Sequence, residues 1–159
     1  MFKSAAMHNT EKESAARAAL PYVRSGMMVG LGSGSTVAGF IGLLGKAVSS
    51  GLIENILCVT ASASSETLAK KAGLQTVAIN DISRIDVLVD GADEFDNDLN
   101  LIKGGGGALV REKILASLAD LFVVITDSGK KVAMLGNSKL PLEAFIFCVH
   151  PLMAKLTQK

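Results

Sequence analysis

The sequence predicts an α/β fold, an open and mostly parallel Rossmann-like sheet with helices on both faces, and three observations carry that prediction. Short apolar runs alternate along the chain with longer stretches of helical period, which is the signature of βαβ units. The runs end in turn residues such as Gly32-Ser33-Gly34 and Asp90-Gly91, the positions where parallel strands hand over to helices. The hydrophobic fraction of 49% and mean hydropathy of +0.41 are high for 159 residues, as expected when strands are covered on both sides. Right-handed crossovers would then place the strand C-termini along one edge, where open α/β sheets bind ligands.

Taken in order, Thr10 and Glu13 have capping-box spacing, and an alanine-rich first helix should run from there to Tyr22, with Pro21 distorting its last turn. Lys12 would lie in its first turn, a position compatible with a plain surface lysine. Residues 27–31 read as the first strand. Ser33, Gly34, Ser35 and Thr36 then open a second helix toward Lys46, and free N–H groups at such a helix start can hold a phosphate with no cationic side chain. A dinucleotide fingerprint does not fit, because Ser35 stands where a third glycine belongs and no acidic residue closes the next strand; the Gly-Lys-Ser/Thr of a P-loop is also missing. Residues 56–60 give a second strand, 61–65 start a helix that Gly73 can close, and 76–79 give a third strand.

The stretch from Asp86 to Lys113 concentrates the chemistry. Residues 85–89 form an apolar fourth strand that delivers Asp90 to its C-terminal tip, and Asp93 and Glu94 follow within a turn. Lys103 precedes four glycines and a helix over 108–119. Ordering four glycines costs backbone entropy, which points to a main chain that approaches a ligand closely. Glu112 lies about one turn into that helix, and helical side chains tilt toward the N-terminus, so its carboxylate can look back over the loop. Asp90, Asp93, Lys103 and Glu112 can converge on one small molecule. Singly, a glycine run is a flexible turn and a strand-end Asp is a cap; together they exceed what packing needs. A fifth strand over 121–126 ends in Asp127, with Lys130 close behind; residue by residue these two are a turn cap and its decoration.

The net charge of +1, with basic residues scattered, gives no electrostatic case for nucleic acid or anionic membrane. Cys58 and Cys148 form neither a disulfide framework nor a metal spacing, and His8 and His150 stand apart from both, so no metal is expected. The N-terminus lacks the apolar segment of a secretory signal and no apolar run reaches membrane-spanning length, which makes the cytoplasm the expected location.

DGADEFDNDLNLIKGGGGALVREKI, at residues 90–114, resembles the central signature of the type A ribose-5-phosphate isomerase family, GLGSGST at 30–36 its phosphate loop, and VVITDSGKKVAMLG at 123–136 with LPLE at 140–143 a third stretch in the same order. The resemblance implies an aldose-ketose isomerase that interconverts D-ribose 5-phosphate and D-ribulose 5-phosphate through an enediol, in the non-oxidative pentose phosphate pathway, with no organic cofactor and no metal. It implies Glu112 as the base, Lys103 and the N–H groups of the Gly104 to Gly107 loop as the oxyanion partners, and Asp90 and Asp93 as hydroxyl binders and proton shuttles, Asp93 also assisting ring opening. Substrate contacts would come from Lys12, Ser33, Gly34, Ser35, Thr36, Gly91, Ala92, Gly104, Gly105, Gly106 and Lys130. Residues 1–143 would form the isomerase domain. Residues 144–159 are expected to be a divergent tail in place of the family's longer C-terminal segment, which leaves apolar surface exposed and puts the family's homo-oligomeric contacts in question. The alternatives are a sugar-phosphate deaminase or CoA transferase on a similar scaffold, against which the DGADE to GGGGALVREK stretch argues, and a weak or inactive sugar-phosphate-binding module.

Overall fold

The computed structural model describes residues 2–158. The chain runs through α1 (Phe2–Ala19), β1 (Met28–Leu31), α2 (Ser35–Ser49), β2 (Leu57–Thr60), α3 (Ala63–Lys71), β3 (Ile85–Asp90), a hairpin of β4 (Glu94–Phe95) and β5 (Leu101–Ile102), α4 (Leu109–Leu118), β6 (Ala119–Val124) and α5 (Val149–Thr157). The main sheet is parallel throughout, in the order β2-β1-β3-β6. From β1 the chain crosses to β2 on one side, while β3 pairs with β1 on the other. The boundary between β1 and β3 is therefore the point where the winding reverses, and a crevice opens there at the strand C-termini.

Strand alternation assigns the two faces. Val29, Leu31, Cys58, Val87 and Val89 point to one side and pack with Ala16 of α1, Phe40, Ile41 and Leu44 of α2 and Ala69 of α3. Val59, Leu88 and Phe122 point to the other side, where Leu115 of α4 covers them. Helices thus cover both faces, and Cys58 is a fully buried core residue whose thiol burial pushes up to about 12.

Three expected elements come out differently. Thr10 does not cap a helix, because α1 starts upstream at Phe2; no Pro or Gly interrupts residues 2–19, so nothing stops the helix earlier. Pro21 does mark a distorted end, sitting at the start of a 3-10 turn (Leu20–Tyr22) where its missing N–H costs nothing. The third strand at 76–79 does not form. Thr76 makes one parallel bridge to Cys58, and the chain then turns at Ile79–Asp81, with Val77 and Ile79 packed on the α4 side. Asn80-Asp81 ends the ladder before a strand is established. The expected fifth strand is β6, the fourth of the sheet, and starts two residues early at Ala119.

The tail turns at Ile146–Cys148 and forms α5 with Pro151 in its first turn. Phe145, Ile146 and Phe147 are 73%, 93% and 85% exposed, and the two phenyl rings stack on each other, 5.6 Å apart. So much contiguous apolar surface should bind a hydrophobic dye and favour association. A Phe145→Ser/Phe147→Ser variant is expected to lose most dye fluorescence without loss of helix content; unchanged fluorescence would place the dye elsewhere. No helix among the described residues is long and apolar enough to cross a membrane.

Candidate active site

The crevice holds a cavity of about 220 Å³. Its walls come from the β1–α2 loop and start of α2 (Ser33, Gly34, Ser35, Thr36), the end of β3 (Asp90, Gly91, Ala92, Asp93), the glycine loop and α4 (Lys103, Gly104, Gly106, Glu112), the end of β6 (Ile125, Thr126, Asp127, Lys130), and Lys12 from α1. The β1–α2 loop is fixed from two sides. Gly32 N–H donates to the Val89 carbonyl, and the buried Ser65 hydroxyl donates to the Gly32 carbonyl at 2.6 Å. A Cβ on Gly32 would overlap the Asp90 carboxyl, so glycine is what lets the loop and the strand tip share this space. At the helix start the chain leaves the N–H groups of α2 without a side-chain cap, facing the cavity.

Asp90, Lys103 and Glu112 form the charged floor. Asp90 is 1% exposed; its Oδ1 accepts from Ser33 N–H (3.1 Å) and Gly91 N–H (2.7 Å), and its Oδ2 lies 2.9 Å from Lys103 Nζ. Lys103 also donates to the Gly91 carbonyl at 2.5 Å and lies 3.3 Å from Glu112 Oε2. Glu112, 4% exposed, has Oε1 held by the Ser33 hydroxyl at 2.8 Å, while Oε2 accepts no hydrogen bond from the described residues. One carboxylate oxygen is thus anchored by a hydrogen bond, and the other faces the Lys103 ammonium. Burial pushes the Asp90 carboxyl above the usual carboxylate range, the Lys103 ammonium pulls it back, and the nearby Glu112 carboxylate pushes it up again. Two buried carboxylates sharing one ammonium make a set in which a proton can be taken up and passed on.

The glycine loop is ordered by Asp93, whose Oδ2 accepts Gly105 N–H at 2.7 Å. Gly104 and Gly107 have φ of 104° and 75°, closed by a bond from Gly107 N–H to the Gly104 carbonyl. Those dihedrals belong to the left-handed region, which explains at least two of the four glycines by conformation. Gly105 also needs to be glycine, since a Cβ there would lie 2.9 Å from Asp93 Oδ1.

The family model for ribose 5-phosphate isomerase A (phosphoriboisomerase A) matches residues 57–159. The chain belongs to this family. Ribose-5-phosphate isomerase A of Nitrobacter hamburgensis is 48% identical over 136 residues, 86% of this chain and 58% of the relative; that of Thermosynechococcus vestitus is 46% identical over 146 residues, 91% of this chain and 62% of the relative. The chain therefore spans about three fifths of the length of these curated relatives. A solved D-ribose-5-phosphate isomerase in complex with phospho-erythronic acid superposes with a TM-score of 0.90 at 38% identity, over 94% of this chain and 66% of that one.

Among the residues that the resemblance to ribose-5-phosphate isomerase A singled out, all but Gly105 and Gly107 line the cavity; Gly105 N–H donates to Asp93 and Gly107 N–H to the Gly104 carbonyl, so neither is free as an oxyanion donor. Two assignments change in kind. The Ser33 hydroxyl is engaged with Glu112, which makes it a positioning group for that carboxylate and leaves its N–H to Asp90. Asp127 caps the turn Ser128–Lys130 by accepting Gly129 N–H at 3.0 Å, as the sequence predicts, and also lines the cavity, 3.9 Å from Lys12 Nζ, which the sequence does not predict. Lys12 donates to the Ser35 hydroxyl at 3.1 Å, bringing one cation to the α2 start. Glu94 turns away and is buried, accepting from Gly136 N–H at 2.8 Å and from Ser138 N–H; these bonds hold its carboxyl below the usual range and tether the segment after β6. Ile125 and Thr126 line the cavity too, and only the sheet order reveals that β6 borders it.

Proposed function

We propose that the chain catalyses the interconversion of D-ribose 5-phosphate and D-ribulose 5-phosphate, an aldose-ketose isomerisation through an enediol. The single observation that carries this is the Asp90–Lys103–Glu112 cluster, set opposite an uncapped helix start across one small cavity. The names of its relatives support it, and so does the phospho-erythronic acid held by the solved relative, a phosphorylated hydroxy acid whose carboxylate has the two-oxygen, negative end of an enediolate.

In this proposal the phosphate sits on the N–H groups of Gly34, Ser35 and Thr36, with Lys12 and Lys130 beside it. Glu112 Oε2 removes the C2 proton of the open-chain aldose; the C–H pair becomes the C1–C2 double bond, and the carbonyl pair moves to O1, next to Lys103. Asp90 takes the proton from the O2 hydroxyl and returns it to O1, a role that suits a carboxyl held above its usual range. The carbonyl then re-forms at C2 as C1 takes the proton from Glu112. Every proton removed is returned, so no external acid, base or oxidant is consumed. Asp93 orients the sugar hydroxyls and assists ring opening. A cytoplasmic setting goes with this chemistry as part of the same proposal, and residues 144–159 as a divergent tail that follows residues 1–143.

Ser35→Asp tests the phosphate end. A carboxylate at the first residue of α2 would satisfy the helix start itself and repel the ligand, and calorimetry with ribose 5-phosphate is expected to show affinity reduced at least about tenfold. Unchanged affinity would mean that the phosphate lies elsewhere. Turnover of ribose 5-phosphate separates the isomerase from a binding module, which would show affinity without product.

A further inference from the structure

Beside the cavity, at Asp127, three metal-capable side chains meet that no step above uses. His8 and Glu11 stand one turn apart on the same face of α1, with His8 Nδ1 3.4 Å from Glu11 Oε2 and 3.2 Å from Asp127 Oδ1. Each ligand is held in place by a further contact. Glu11 accepts the Ser128 hydroxyl at 2.8 and 3.0 Å and Ser128 N–H at 3.1 Å, and Asp127 Oδ1 accepts Gly129 N–H. The imidazole lies beside Gly129, where a Cβ would come 3.0 Å from His8 Cε1, so glycine leaves room for the ring.

One ligand atom from each of His8, Glu11 and Asp127 lies within 4.8 Å of the other two. His8 Nδ1 is buried and makes no hydrogen bond among the described residues, although two carboxylate oxygens stand at contact distance. A hydrogen-bond acceptor belongs along the N–H direction. An ion on the nitrogen lone pair can take both oxygens as co-ligands. Ligand atoms about 2.0–2.1 Å from a tetrahedral ion are about 3.3–3.4 Å from one another, which matches the two edges at His8, 3.4 and 3.2 Å, while the edge between the carboxylates lies within 4.8 Å. Magnesium and calcium prefer oxygen-only shells with more ligands, whereas an imidazole nitrogen with two carboxylates suits zinc-class ions.

We propose that His8, Glu11 and Asp127 form a zinc-class binding site with a water in the fourth position, which clamps α1 to the segment after β6. The proposal does not depend on the isomerase reaction, because its test uses the metal alone. Zinc titrated into the metal-free folded chain should bind at about one equivalent, and cobalt in its place should give the intense visible absorption of a tetrahedral ion. Binding should also raise the thermal midpoint, since the ion binds the folded chain preferentially. His8→Ala and Glu11→Ala should each remove both effects, while Ser128→Ala, which deletes an outer contact to Glu11, should weaken binding by about 10–100-fold. Circular dichroism establishes that each variant is folded, and a Cys148→Ser/His150→Ala variant, with the other exposed ligand types removed, should bind as the parent does. Absence of binding by the folded parent would overturn the proposal. So would binding that survives both His8→Ala and Glu11→Ala, or that is lost only in the Cys148→Ser/His150→Ala variant.

Discussion

Glu112→Gln is expected to lower kcat with ribose 5-phosphate by at least about 10²–10⁴-fold, the usual contribution of a positioned base, while the affinity for the sugar phosphate stays within about tenfold. The amide keeps the shape of the side chain and can retain the Ser33 hydrogen bond at its oxygen, so the cavity wall survives. What disappears is the oxygen that accepts no hydrogen bond and could take a proton. The floor also changes from two carboxylates sharing one ammonium to one of each, which does not disfavour an anionic ligand. Steady-state kinetics and calorimetry on the same preparation separate the two effects. A variant that keeps most of the parent's kcat would assign the proton transfer to another group.

Lys103→Met should act on both activity and stability. Its ammonium stands between two buried carboxylates, Asp90 and Glu112, and is itself mostly buried. Removing one partner of a buried ion pair leaves charge without compensation, at a cost of about 3–5 kcal/mol. Protonation of the pair limits that cost, and its sign is checkable. Asp90 already has its folded pKa raised, and loss of Lys103 removes the attraction that opposes the rise. A carboxyl with a raised folded pKa contributes stability that is fully present below its unfolded pKa and is lost as pH rises through the folded value. The variant's deficit, measured by urea unfolding, should therefore shrink as pH is lowered from neutral toward the carboxylate range. A deficit independent of pH would show that the methionine acts through packing, and retained turnover would remove Lys103 from oxyanion stabilisation.

Much of this site is legible in the sequence because its parts lie close together along the chain. An apolar run that ends in Asp90-Gly91 announces a strand tip, and a glycine run between Lys103 and Glu112 leaves few ways to arrange those two except around one loop. Gly32 and Ser33 are a different case. Their loop is visible, but that Gly32 makes room for Asp90 and that the Ser33 hydroxyl anchors Glu112 depends on β1 pairing with β3, which local pattern does not encode. The β4–β5 hairpin is too short to show an alternating pattern, and nothing local tells that Glu94, one residue after Asp93, turns toward Gly136 and Ser138. Residues 76–79 carry strand-like residues yet only one bridge, because backbone pairing depends on where the neighbouring turn falls. His8 and Asp127 lie far apart in the sequence, so their contact comes from tertiary structure alone.

The most direct measurement is proton NMR of ribose 5-phosphate incubated with the chain in deuterium oxide, run in parallel for the parent and Glu112→Gln. A single base that moves a proton between C2 and C1 through an enediol predicts ribulose 5-phosphate in the parent sample, with deuterium entering at C1 and at C2 of the recovered aldose, and neither in the variant. Binding of ribose 5-phosphate by the parent with no ketose and no deuterium uptake would contradict the proposed reaction, and equal uptake in both proteins would contradict Glu112 as its base.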